Sequence, residues 1–137
     1  MSPSAMSPST SRHVLTSLAG DDLERAASFY EQTFGWPRTV SVPVYVELDA
    51  AGMRLGLYLR EGFAKNTGGE IPAARPPRGT SATEIYVHCD DLDDVIARLR
   101  AIGARVLSEL APRPWGELVA YFADPEGNVV AVARPGA

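Results

Sequence analysis

Residues 119–133 read VAYFADPEGNVVAVA, and the five residues at their centre decide the fold. Asp124-Pro125-Glu126-Gly127-Asn128 interrupts two runs of apolar, β-branched and aromatic residues. Pro125 brings no ladder donor, and Gly127-Asn128 adopts positive φ readily. The stretch is a hairpin. Whether it closes an ordinary sheet or the last hairpin of an architecture built around a cavity depends on what precedes it.

Two upstream segments carry helical periodicity. In AGDDLERAASFYEQTFGW, Leu23, Ala26, Ala27, Tyr30 and Phe34 form one apolar face. Asp21 or Asp22 caps the start, and Gly35 before Trp36-Pro37 stops the helix. In CDDLDDVIARLRAIGA, Leu92, Val95, Ile96 and Leu99 repeat the pattern, with Asp90 or Asp91 as cap and Gly103 as stop. Asp21-Asp22-Leu23 overlies Asp90-Asp91-Leu92 at a shift of 69 residues. A strand-like run precedes each helix, HVLTSLA and TEIYVHC. Three short strands follow each: RTVSV, VYVELDA and MRLGLYL, then ARVLSEL, ELVAYFA and VVAVA. A repeat of half the chain reads as two βαβββ modules, since a solenoid needs at least about three units. The fold class is α+β, with module one over about 12–60, a linker over about 61–80 and module two over about 81–134.

Composition bounds the function. The chain has 137 residues, enough for one domain (12–137) with a real core. A net charge of −4 with scattered arginines leaves no basic stripe for nucleic acid. Cys89, the single cysteine, excludes an intramolecular disulfide and suits a reducing cytoplasm. No apolar run reaches the roughly 18 residues that span a bilayer, so no membrane is expected. The start, MSPSAMSPSTS, has neither a charged nor an apolar leader region and reads as a disordered tail over 1–11, with Met6 an alternative start. The Gly/Pro-rich stretch REGFAKNTGGEIPAARPPRGTSA reads as a partly ordered linker whose early part, with Phe63, lies over a cavity edge.

Paired βαβββ modules, DLERAASFYEQTFGW at the front and WGELVAYFADPEGN at the back resemble the vicinal oxygen chelate superfamily: glyoxalases, bleomycin-resistance proteins and extradiol dioxygenases. The resemblance covers residues 12–134, and its motifs speak for fold rather than chemistry. It implies curved mixed sheets around a cup. Metal-dependent members gather His or Glu side chains from the first and last strands of each module, leaving open positions on the ion for vicinal substrate oxygens. The matching positions here are Leu15, Gly56, Glu84 and Ala131. Only Glu84 is a donor, so neither metal nor other cofactor is expected. A register slip could bring in His13, but Gly56 and Ala131 would stay empty.

Strand parity then turns Leu15, Ser17, Gly56, Tyr58, Glu84, Tyr86 and Ala131 to one cavity. Phe122 packs under the helices, which turns Val119 and Tyr121 inward, with Trp115 at the mouth. Glu84 stands out as a carboxylate facing an apolar interior, to be paired with Arg54, Arg60 or Arg113, or to meet a ligand's donor or cation. His88 shares its parity at the strand end.

Two function classes follow. One is a metal-free binding protein holding an aromatic or cationic small molecule. The other is an enzyme: a lyase, isomerase or cyclase using Glu84 as base, or a metal enzyme with a shifted register. The resemblance also implies a homodimer, because members pair modules within or between chains.

Overall fold

The computed structural model describes residues 10–73 and 79–136. The Ser/Pro tail therefore lies, but for Thr10 and Ser11, outside the described residues, as do positions 74–78 of the linker. The first module runs β1 (Leu15–Gly20), α1 (Leu23–Phe34), β2 (Arg38–Val42), β3 (Tyr45–Asp49) and β4 (Arg54–Leu59). The second runs β5 (Glu84–His88), α3 (Leu92–Ala101), β6 (Arg105–Pro112), β7 (Glu117–Ala123) and β8 (Val129–Pro135), with α2 (Arg60–Thr67) between them. Each module makes its own four-stranded mixed sheet, in the orders β1-β4-β3-β2 and β5-β8-β7-β6. The first and last strands of a module are parallel, and its other neighbours are antiparallel.

Alternation along the strands explains the packing. Leu18, Val46, Leu48, Leu55 and Leu57 of the first sheet and Ala120, Phe122, Val130 and Val132 of the second face the helices. They join Ala26, Ala27, Phe29, Tyr30, Leu92, Val95 and Leu99 in one core. Both helix-bearing faces thus share a single interior. The opposite face of each sheet turns away from that interior.

The 124–128 turn locks the modules together. Asp124 Oδ1 accepts from the amides of Glu126 at 2.9 Å and Asn128 at 2.8 Å. Its Oδ2 accepts from Asn128 Nδ2 at 3.0 Å and from the hydroxyl of Tyr30, in α1, at 2.6 Å. Glu126 reaches further, and its Oε1 accepts from the amides of Asp21 and Asp22, each at 2.9 Å. A module-two carboxylate thereby satisfies amides at the start of a module-one helix, where negative charge is favoured. Asp22 itself caps α1 by accepting from the Arg25 amide.

One element departs from the linker reading. Residues 60–67 form α2, ended by Gly68 in the left-handed region, φ 70°. Ala64 is its single buried residue, and Phe63 sets its ring edge-on to Tyr58, centroids 5.9 Å apart. Two turns with so little apolar surface leave no periodic stripe to read.

Candidate functional site

The open faces carry what chemistry the chain has. On the first sheet, Ser17 of β1 pairs with Gly56 of β4, and Gly56 pairs with Glu47 of β3. Glu47 is 7% exposed yet charged-type, and its carboxylate is well supplied. Tyr45 donates its hydroxyl to Oε1 at 2.8 Å, while Thr39 at 3.3 Å and Arg54 at 3.2 Å reach Oε2. The Tyr45 ring leans on Tyr58 at 4.6 Å. A Cβ on Gly56 would lie 2.5 Å from Ser17 Oγ and 2.6 Å from the Tyr45 hydroxyl, so the missing side chain is the space this cluster occupies.

Burial, then the Glu47 hydrogen bond and charge, push the Tyr45 phenol up to about 12, against a lowering contribution from the Ser17 hydroxyl. An unfolded tyrosine ionises near 10. Tyr45 therefore contributes stability that is intact below pH 10 and lost as pH rises to 12. Urea unfolding across that window is expected to show a steeper loss in the parent than in Tyr45→Phe. Equal slopes would count against the Tyr45–Glu47 bond.

The second open face has a longer polar chain. Trp115, in the β6–β7 loop and 56% exposed, donates its indole N–H to the Tyr86 hydroxyl at 3.0 Å. Tyr86 donates in turn to Oε1 of Glu117. The other oxygen, Oε2, lies 2.6 Å from Nε2 of His88. Glu117 is largely covered, its side chain 18% exposed, whereas His88 stands out at 58%. Burial and the neighbouring carboxylate raise the Tyr86 phenol above the ordinary tyrosine range, and the indole N–H opposes them. Beneath this chain Val119, Ala131 and Ala133 are fully buried against Tyr121. Arg113 lies 5.1 Å over the Tyr121 ring and donates to Ser108 Oγ and to the carbonyls of Glu109 and Val119.

The structure divides the ten sequence-derived positions between these faces. Leu15, Ser17, Gly56 and Tyr58 lie on the first sheet, and Glu84, Tyr86, Val119, Tyr121 and Ala131 on the second, with Trp115 beside Tyr86. The two groups belong to different sheets, and no hydrogen bond or ring contact joins them among the described residues. Strand parity assigns a side chain to a face but says nothing of how two sheets are set against each other. Glu84 also needs correction. It opens β5, opposite Val129 at the sheet end, and is exposed rather than turned into an apolar interior. Arg54 pairs with Glu47 and Arg60 with Asp21, while Arg113 holds the β6–β7 corner. His13 is an exposed strand-end histidine bonded to Thr16 and the Leu15 carbonyl.

Glu117, Glu47 and Tyr45 went unread as site residues, although alternation carried the signal. Glu117 has the parity of Val119 and Tyr121, and Tyr45 and Glu47 alternate with buried Val46 and Leu48. The donor set does not fit a metal. Leu15, Gly56 and Ala131 carry no ligating atom, and among the described residues no three His, Cys, Asp or Glu side chains converge.

Two mixed βαβββ sheets over one helical core, with open faces on the other side, define a class of protein. Residues 11–132 match the Glyoxalase/Bleomycin resistance protein/Dioxygenase superfamily, and the chain belongs to it. It is 31% identical over 122 residues to a glyoxylase-like domain-containing protein of Didymella fabae, covering 84% of this chain and 88% of that one. Among solved structures it resembles a glyoxalase-related enzyme from Fulvimarina pelagi, with a TM-score of 0.74 and 27% identity over 90% of this chain and 87% of that one. A glyoxalase/bleomycin resistance protein/dioxygenase from Nocardioides shares the fold, with a TM-score of 0.77 at 24% identity, covering 95% and 87%. No described helix is long and apolar enough to cross a membrane.

Proposed function

We propose that this chain is a metal-free small-molecule-binding member of its superfamily, taking an aromatic or cationic ligand on the open face of the second sheet. The observation that carries this reading is the exposed Trp115–Tyr86 pair bonded through to the largely covered Glu117 carboxylate. An indole and a phenol held by hydrogen bonds offer a flat surface at little entropic expense. A carboxylate behind them favours positive charge on whatever stacks there.

Each sheet covers only one side of a ligand, which supports a homodimer in which a second copy supplies the other wall. Light scattering at tens of micromolar should return twice the chain mass; a monomer mass would remove the second wall. The single thiol, Cys89, suits a cytoplasmic location.

Ligand binding is tested with N-methylquinolinium and its uncharged isostere 1-methylnaphthalene, read by tryptophan quenching. Both should bind saturably, and Trp115→Ala should abolish the response. Glu117→Gln should weaken the cation about tenfold, or about 1.4 kcal/mol, and leave the neutral probe unchanged. Absence of saturable quenching by either probe sinks the reading.

A further inference from the structure

The direction of every hydrogen bond in the Trp115–Tyr86–Glu117–His88 chain is determined by its members. An indole N–H only donates, so it occupies the Tyr86 oxygen as acceptor and sends the single phenolic proton to Glu117. Glu117 thus accepts on one oxygen and faces His88 Nε2 with the other, 2.6 Å away. A carboxylate oxygen offers only acceptor lone pairs, so the hydrogen of this contact belongs to the ring and sits on Nε2. His88 is thereby held as the Nε2–H tautomer. Its Nδ1, which has no hydrogen-bond partner among the described residues, keeps a free lone pair on a ring that is mostly exposed. The same ring lies 5.9 Å from that of Tyr86, which places it next to the surface proposed to hold an aromatic ligand.

We infer that His88 is a general base: its Nδ1 removes a proton from a carbon acid held against Trp115 and Tyr86, with Glu117 as the positioning residue. The inference rests on the binding reading of the same face. The step is balanced without a co-reactant. The substrate C–H bond breaks as the Nδ1–H bond forms, the electron pair stays on the substrate as a carbanion or expels a leaving group, and the imidazolium stands against the Glu117 carboxylate. Returning the proton to a different atom completes an isomerisation, and loss of a leaving group completes an elimination. This assigns to His88 the role that the sequence pattern suggested for Glu84, which lies four residues away at the end of the sheet. A base without an orienting acid partner has neither its tautomer nor its conjugate acid held.

Two measurements test it. The chain has two histidines, so nitrogen-15 NMR of the parent and of His13→Gln assigns the His88 ring. The spectrum should show a protonated Nε2 and a bare Nδ1, and Glu117→Gln should return the ring to the mixed tautomers of a free histidine. A protonated Nδ1 in the parent overturns the proposal.

The second measurement uses 5-nitrobenzisoxazole, a flat neutral carbon acid whose ring opens once a base takes its C–H proton and the N–O bond breaks. The protein should open it about a hundredfold faster than an equal concentration of imidazole. His88→Ala should abolish that excess, and circular dichroism should confirm that the variant is folded. Glu117→Gln should lower kcat with little change in KM, while Trp115→Ala should raise KM. A rate no greater than imidazole's, or one untouched by His88→Ala, overturns the base. If the probe quenches Trp115 without turnover, proton transfer fails and binding stands. If it neither quenches nor reacts, both readings fail.

Discussion

Replacing Asp124 with alanine should lower the unfolding free energy by about 3–5 kcal/mol, the largest single-residue effect expected in this protein. The carboxylate is 4% exposed and receives four donors: the amides of Glu126 and Asn128, the Asn128 side-chain amide and the Tyr30 hydroxyl. Alanine removes all four acceptor contacts and leaves a fully buried phenol without a partner. Each stranded donor costs about 1–3 kcal/mol, less what an entering water recovers. The effect also crosses the molecule, because the Tyr30 bond is the point at which the last hairpin grips the first helix. Asp124→Asn keeps one acceptor oxygen and should lose about half as much. Urea denaturation followed by circular dichroism reads both variants. A loss under about 1 kcal/mol for alanine would show that the turn holds its shape without the carboxylate.

The second large effect belongs to Gly56. The family resemblance marks this position as an empty ligand site, and the structure shows what fills the space. The space a side chain would take holds the Ser17 hydroxyl and the Tyr45 phenol, and Tyr45 Cε1 lies 2.8 Å from an added Cβ. Alanine therefore has to push Tyr45 off Glu47, an overpacking expected to cost about 1–3 kcal/mol. The displaced bond supplies an independent readout, since the stability lost by the parent between pH 10 and 12 should flatten in Gly56→Ala. Glutamate at 56, the residue type that metal-dependent members place on such strands, should destabilise further and create no metal site. Retained stability with tight zinc binding in Gly56→Glu would overturn this account of the first open face.

Much of the architecture was legible because it rests on local rules. The spacing of Leu23, Ala26, Ala27 and Tyr30 is set by the helix period, and Asp22 and Gly35 meet the demands of helix ends. Phe122 falls on the helix side of β7 because alternation allows two faces and the helices cover only one. The Asp124–Asn128 turn was legible as a hairpin. Its second task, in which Asp124 holds Tyr30 and Glu126 holds the start of α1, joins residues 94 to 105 positions apart and has no local signature.

The candidate site divides in the same way. Tyr86, Tyr121, Val119 and Ala131 could be assigned to one face of the second sheet by counting in twos, and Glu117 follows from the same count. Counting cannot say that Glu84 ends up exposed, because exposure at a strand end depends on what the neighbouring strand and loop cover.

By itself, then, the sequence determined the two βαβββ modules, the Asp22 cap of α1, the last hairpin turn, the face each strand residue takes, and the lack of ligating atoms at Leu15, Gly56 and Ala131. Periodicity, φ preference and side-chain chemistry act over a few residues, and all are written in the chain. Only the tertiary structure decided that the ten positions fall on two different sheets, that Ser17 and Tyr45 fill the space at Gly56, and that Trp115, Tyr86, Glu117 and His88 form one directed hydrogen-bond chain. Those outcomes depend on how two sheets share one core and on which long side chains then meet, and packing at that range leaves no period in the sequence.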